Sequence, residues 1–181
     1  AFNSYFMATD PIVSSLADVR GVAELMSGYQ WAMDPDGNPA TSDDMPDVIN
    51  NSWGRPYDPA DTNMCSSFVD NALLAMEVAG IVSVQSAGNA GPGAGTVGFP
   101  AGNNPTLTAN FAVGAVDGNN PNFPIASFSS RGPSACGDTG SLNIKPEIVA
   151  PGVAVRSAIR DGNGNYTYDF YQGTSMAGPH A

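Results

Sequence analysis

The chain has 181 residues, 42% of them hydrophobic and 13% charged, enough for one domain with a real core and without a segment that reads as disordered. Its 17 acidic residues face only 6 basic ones, a formal net charge of −11, and that balance disfavours nucleic acid and anionic membrane as partners. The longest apolar runs, such as ALLAMEVAGIVSV, are broken by Glu77 and Gly80 and are too short to span a bilayer.

In chain order, Asp10-Pro11 reads as an N-cap followed by proline at the first helical position. Ile12, Leu16, Val19, Ala23, Met26 and Met33 recur at helical spacing, which predicts a helix, with room for an interruption, running to Met33. A polar, turn-rich stretch follows from Asp34 to Pro46. DVINNS predicts a short buried strand, Val48-Ile49 with flanks. From Ser66 to Val78 a second helix places Val69, Ala72, Leu73 and Met76 on one face, with Gly80 as its stop. IVSVQSAG is the next strand, and a strand–helix–strand unit of this length predicts parallel pairing. Further β-like runs are FAVGAV, IASFS, EIVAPG and VAVRSA, then a hairpin arm YTYDFYQG after the turn DGNGN. The final TSMAGPHA reads as a helix just beginning. The expected class is α/β: one open, mostly parallel sheet with helices on both faces.

In such sheets, ligands bind beyond the carboxyl ends of the strands. The segments expected there are NSWG (51–54), SAGN (86–89) and GTS (173–175), all rich in residues that let backbone approach a ligand closely. Ser175 would open a helix, where free backbone N–H groups and the positive end of the helix dipole favour developing negative charge. Asn89, ending a buried strand between Gly88 and Gly91, could offer a side-chain amide to the same oxyanion.

Several other residues invite functional readings. Cys65 and Cys136 fit neither a metal cluster nor a disulfide-dense scaffold, and one disulfide or two free thiols both remain open. The stretch DPDGNPATSDD has alternating acids, but it lacks Gly at the sixth and Glu at the twelfth position counted from Asp34. Structural calcium on Asp34, Asp36 or Asp43 competes there with plain solvated turns. GDTGS, with Asp138, has the look of an aspartic-protease motif, but a turn-rich loop and not a buried strand precedes it. A surface turn is expected.

Taken together, VINNSWG, SVQSAGNAGPG, VGFPA, FAVGAVD, IASFSSRGP, KPEIVAPG and GTSMAGPH resemble, in order and spacing, the subtilisin-like serine peptidases, with NNSWG and DPDGNPATSDD closest in style to the bacillopeptidase F branch. The resemblance is strong over 47–181 and loose over 1–46. It implies a serine endopeptidase acting through an acyl-enzyme on Ser175, with Asn89 in the oxyanion hole. It also implies an extended polypeptide substrate paired to Ser52-Trp53-Gly54, and an S1 pocket walled by Ser86-Ala87-Gly88. Gly98 matches a position near the base of that pocket, so large apolar or aromatic P1 side chains are expected, and Phe99-Pro100 falls where the family has a cis bond. No cofactor is required for this chemistry. A pro-peptide and secretion are further implications, although AFNSYFMATD lacks the pattern of a secretory leader.

The chain departs from the family in carrying neither its aspartate nor its histidine motif. His180 is the only histidine; five positions after Ser175 on a helix, it would project about 140° away, and it matches a packed family histidine that is not the base. Residues 1–181 are therefore expected to be the C-terminal part of a catalytic domain, inactive or nearly so alone. The alternative from another class is a non-catalytic, subtilase-like peptide-binding module.

Overall fold

The computed structural model describes residues 22–61, 64–136 and 139–181. The helix start expected at Asp10-Pro11 and the turn at Asp138 lie outside the described residues. The elements are α1 (Val22–Met33), β1 (Val48–Asn51), α2 (Ser67–Val78), β2 (Val82–Ser86), β3 (Phe111–Val116), β4 (Ile148–Pro151), β5 (Val155–Arg160), β6 (Tyr166–Tyr171) and α3 (Thr174–Ala177).

β1 to β4 lie side by side in sequence order and every pair is parallel. β5 and β6 form a separate antiparallel ribbon, with Arg160 opposite Tyr166 beside the DGNGN turn. Asp161 holds that turn by accepting from the backbone N–H groups of Asn163 and Asn165, and these bonds, led by those from Asn165, lower its pKa.

α2 forms where its pattern predicts. Ser66 caps it by accepting from the Phe68 N–H at 3.2 Å, and Val69, Leu73 and Met76 are buried along one stripe. Each such side chain contributes about 1.5–3 kcal/mol of transfer free energy. The helix stops at Gly80, whose φ of +83° is the left-handed cap that glycine adopts without a Cβ clash.

The sheet separates two apolar layers, as strand alternation requires. On one side Leu73, Met76, Tyr29 and Phe99 form a core with Ile81. Gln85 points into it, donating to the Tyr29 hydroxyl at 3.1 Å and to Ser83 Oγ at 3.0 Å, and burial pushes the Tyr29 phenol well above its usual range. On the other side Val84, Val113, Ala115 and Ala150 pack with Ala177 of α3. Small residues there let α3 settle directly on the strands.

IASFS, expected to be β-like, is not a strand. β2 ends at Ser86 while β3 continues, and the edge of β3 that is left takes up one antiparallel bridge, Val116 to Ile125, with the Ala126 N–H on the Ala115 carbonyl at 2.9 Å. Ser129 Oγ then accepts from the Ala115 N–H at 3.0 Å. A side chain thus does the work of a strand.

Cys65 and Cys136 are joined as a disulfide, with Cα atoms 5.1 Å apart. This closes the question that the sequence leaves open.

Candidate active site

A cleft of about 440 Å³ opens beyond the carboxyl ends of β1 and β2. Ser52, Trp53, Gly54, Ser86, Ala87, Gly88, Asn89, Gly98 and Ser175 all line it, so the three segments picked out from sequence converge on one place.

Ser175 is the second residue of α3. Glycine is required before the helix: Gly173 has a φ of +150°, and a Cβ there would stand 3.5 Å from Asn89 Nδ2 and 3.7 Å from the Ser175 nitrogen. Glycine thus keeps open a space bordered by two N–H-bearing atoms. Asn89 is oriented by a residue that the sequence reading missed. Its Oδ1 accepts from the Thr174 N–H at 2.9 Å and from Thr174 Oγ1 at 3.0 Å, while Thr174 Oγ1 accepts from the Gly88 N–H at 3.1 Å. With the oxygen so committed, the amide nitrogen is the end turned to other use. Thr174 is fully buried. A hydroxyl residue adjacent to the candidate nucleophile was the signal in the sequence that could have found it.

Ser175 Oγ donates to the Ser52 carbonyl at 3.1 Å, and Ser52 Oγ donates to the Ser175 carbonyl at 2.8 Å. The opposite wall is built by pairing of two segments. The Arg55 N–H meets the Phe99 carbonyl and the Phe99 N–H meets the Arg55 carbonyl, both at 2.9 Å. Gly98 is needed for this pairing. A Cβ at 98 would lie 2.1 Å from the Arg55 carbonyl oxygen, so the glycine serves backbone approach, and a side chain there would strike the facing Arg55 backbone. The Phe99-Pro100 bond is cis. Asn110 braces the turn after it, donating from Nδ2 to the Pro100 carbonyl at 3.0 Å and to the Asn103 carbonyl at 2.8 Å. The Arg55 guanidinium pairs with Asp61 and lies over the Phe99 ring.

A subtilase family profile matches residues 16–181. The chain belongs to the subtilase family. It is 36% identical to bacillopeptidase F of Bacillus subtilis (strain 168) over 165 residues, which is 87% of this chain and 10% of that protein. It is also 36% identical over 148 residues to a subtilisin of Bacillus sp. (strain TA39), covering 80% of this chain and 32% of that one. Among solved structures, Sphericase superposes with a TM-score of 0.61 at 29% identity, over 87% of this chain and 46% of that chain. The chain thus spans a tenth of one curated relative, about a third of another and under half of this solved neighbour. Its parallel sheet and helices are those of subtilisin-like neighbours, and serine-peptidase chemistry is the general activity of the group to which it belongs.

His180 is placed away from that chemistry. Its Nδ1 is 2.9 Å from the Met176 carbonyl and 3.0 Å from the Pro151 carbonyl. Both partners are acceptors, which assigns the proton to Nδ1 and ties the end of α3 to β4. Asp36 spends its oxygens on its own turn, accepting from the Asn38 N–H at 2.8 Å and from Thr41 Oγ1. Among the described residues no three His, Cys, Asp or Glu side chains converge as a metal site would require. No helix among the described residues is long and apolar enough to cross a membrane.

Proposed function

We propose that this chain carries the nucleophile and oxyanion-binding part of a serine endopeptidase site. Ser175 Oγ attacks the scissile carbonyl of a polypeptide held in extended form along Ser52-Trp53-Gly54. Asn89 Nδ2 and the Ser175 N–H receive the oxyanion, the tetrahedral intermediate expels the amine, and water releases the acyl group. The observation that supports this most is the clasp of Thr174 on Asn89 Oδ1, which leaves an amide nitrogen beside the space that Gly173 keeps open.

The serine needs a base, and the one imidazole in these 181 residues is His180, engaged with two carbonyls. The base and its orienting carboxylate come, in this reading, from polypeptide outside this chain, and residues 1–181 alone hydrolyse peptides at or near background. No cofactor takes part in these steps. The disulfide supports an oxidising, exported location, and the acidic composition agrees with it; a pro-peptide belongs to the same reading.

The test is Asn89→Ala in the full-length protein. The expected result is a fall in kcat of about 10²–10³ with little change in KM, a figure borrowed from the equivalent donor of a subtilisin. Unchanged kcat would remove Asn89 from the mechanism. Peptide binding by the full-length protein without any turnover would instead favour a non-catalytic binding module. Ser86, Ala87 and Gly88 would wall the P1 pocket, with Gly98 near its base. Across a P1-varied peptide series, large apolar and aromatic residues are expected to give the highest kcat/KM; cleavage only after small or charged residues would sink that assignment.

A further inference from the structure

The carbonyl of Ser175 has no helical partner to bond. Helical carbonyls accept from the N–H four residues on, and that residue is Pro179, which has none. The N–H three residues on, from Gly178, is taken by the Thr174 carbonyl. The Ser175 carbonyl is served instead by Ser52 Oγ at 2.8 Å, from the segment just after β1 and 123 positions away in sequence.

Ser52 is itself held. Its Oγ accepts from Asn50 Nδ2 at 2.8 Å, so its single proton is left to point at Ser175. Asn50 has room to do this because residue 178 is glycine, where a Cβ would stand 2.5 Å from Asn50 Oδ1. The clamp therefore answers the donor that Pro179 lacks, and it accounts for the glycine at 178, which leaves room for Asn50.

We infer that the Ser52 side chain, seated by Asn50, is a positioning residue for the nucleophile. It fixes the peptide plane between Ser175 and Met176, and with it the direction from which Ser175 Oγ leaves the backbone. This role is separate from the backbone of Ser52, which lines the cleft, and it rests on the serine-peptidase reading of Ser175. The Met176 and Ala177 N–H groups both return to the Gly173 carbonyl, at 3.0 and 3.3 Å, so the N-side of the Ser175 turn is tied by its own backbone, while the Ser175 carbonyl is tied only through Ser52. A clamp on that carbonyl bears on the attack geometry, where small misplacements are costly.

The experiment compares Ser52→Ala, Ser52→Thr and Ser175→Ala in the full-length protein. Ser52→Ala is expected to lower kcat about tenfold, the worth of one hydrogen bond. KM should stay within about twofold because the carbonyl is retained. The thermal midpoint should fall by about 2–4 °C for each kcal/mol of hydrogen bonding lost, so the protein stays folded under assay. Ser52→Thr, which keeps the hydroxyl, is expected to recover most of kcat. Wild-type kcat in Ser52→Ala overturns the inference, as does a loss confined to KM or one that threonine does not recover. If Ser175→Ala abolishes activity while Ser52→Ala is unaffected, the inference alone fails. Full activity in Ser175→Ala overturns the peptidase reading and the inference with it.

Discussion

Ser175→Ala in the full-length protein is expected to lower kcat by about 10⁶, the scale known for the serine of a subtilisin and carried over from it. The substitution removes one oxygen, whose bond to the Ser52 carbonyl at 3.1 Å lies in a partly buried cleft. Losing that bond should cost about 1 kcal/mol of stability. The reciprocal bond from Ser52 Oγ to the Ser175 carbonyl is untouched, and the Asn89 clasp runs through Thr174, so the architecture persists. The decisive result is thus a split: activity collapses while the melting temperature barely moves. A residual rate of roughly 10³–10⁴ over water is expected from substrate binding and the oxyanion donors. A fluorophosphonate should mark the wild-type protein at Ser175 and leave the variant unmarked; equal labelling of both would place the nucleophile elsewhere.

Removing the Cys65–Cys136 bridge is expected to cost about 4 kcal/mol of stability, close to 10³ in the folding equilibrium. The bridge spans a sequence separation of 71, between loop lengths for which the chain-entropy account gives about 3 and 4.7 kcal/mol. For a chain of this size that is a drop of about 10 °C in Tm, read by thermal melts of Cys65→Ser/Cys136→Ser, or of wild type with and without reductant. The effect should reach the cleft as well. Ser134, two residues from Cys136, donates from Oγ to the Gly102 carbonyl at 2.8 Å, and the Gly102 N–H returns to the Gly98 carbonyl at 2.8 Å. Loosening the 133–136 loop therefore loosens the wall that Gly98 and Phe99 build. A Tm unchanged by the double serine variant would mean that the unfolded chain gains no freedom when the bridge is lost.

The parallel sheet was legible because its signals are local. Short apolar runs such as FAVGAV, and the one-sided stripe of α2, are written in adjacent residues. The positions of Ser52, Asn89 and Ser175 were legible for a related reason: each lies just past a strand or at a helix start, and strands of a parallel sheet end on the same side. IASFS misled because its apolar pattern suits a strand, whereas its place beside β3 is decided by where β2 stops. Gly98 lines the cleft, as its segment suggested, but its closeness to the Arg55 backbone, 43 residues earlier (98 − 55), is a contact that no local pattern announces.

By itself, then, the sequence determined the fold class, since periodicity, turn residues and strand ends act over a few positions. The ordered motifs from VINNSWG to GTSMAGPH carried the family resemblance and with it Ser175 as candidate nucleophile and Asn89 as candidate oxyanion donor. Tertiary structure alone decided how that site is held. Thr174 orients Asn89 from 85 positions away, and Ser52 supplies the donor that Pro179 cannot. Cys65 finds Cys136, and His180 is spent on two carbonyls. Apart from the helix-end bond from His180 to Met176, these contacts join residues distant in sequence. Each depends on hydrogen-bond or disulfide geometry that exists only once separate strands and loops have packed together.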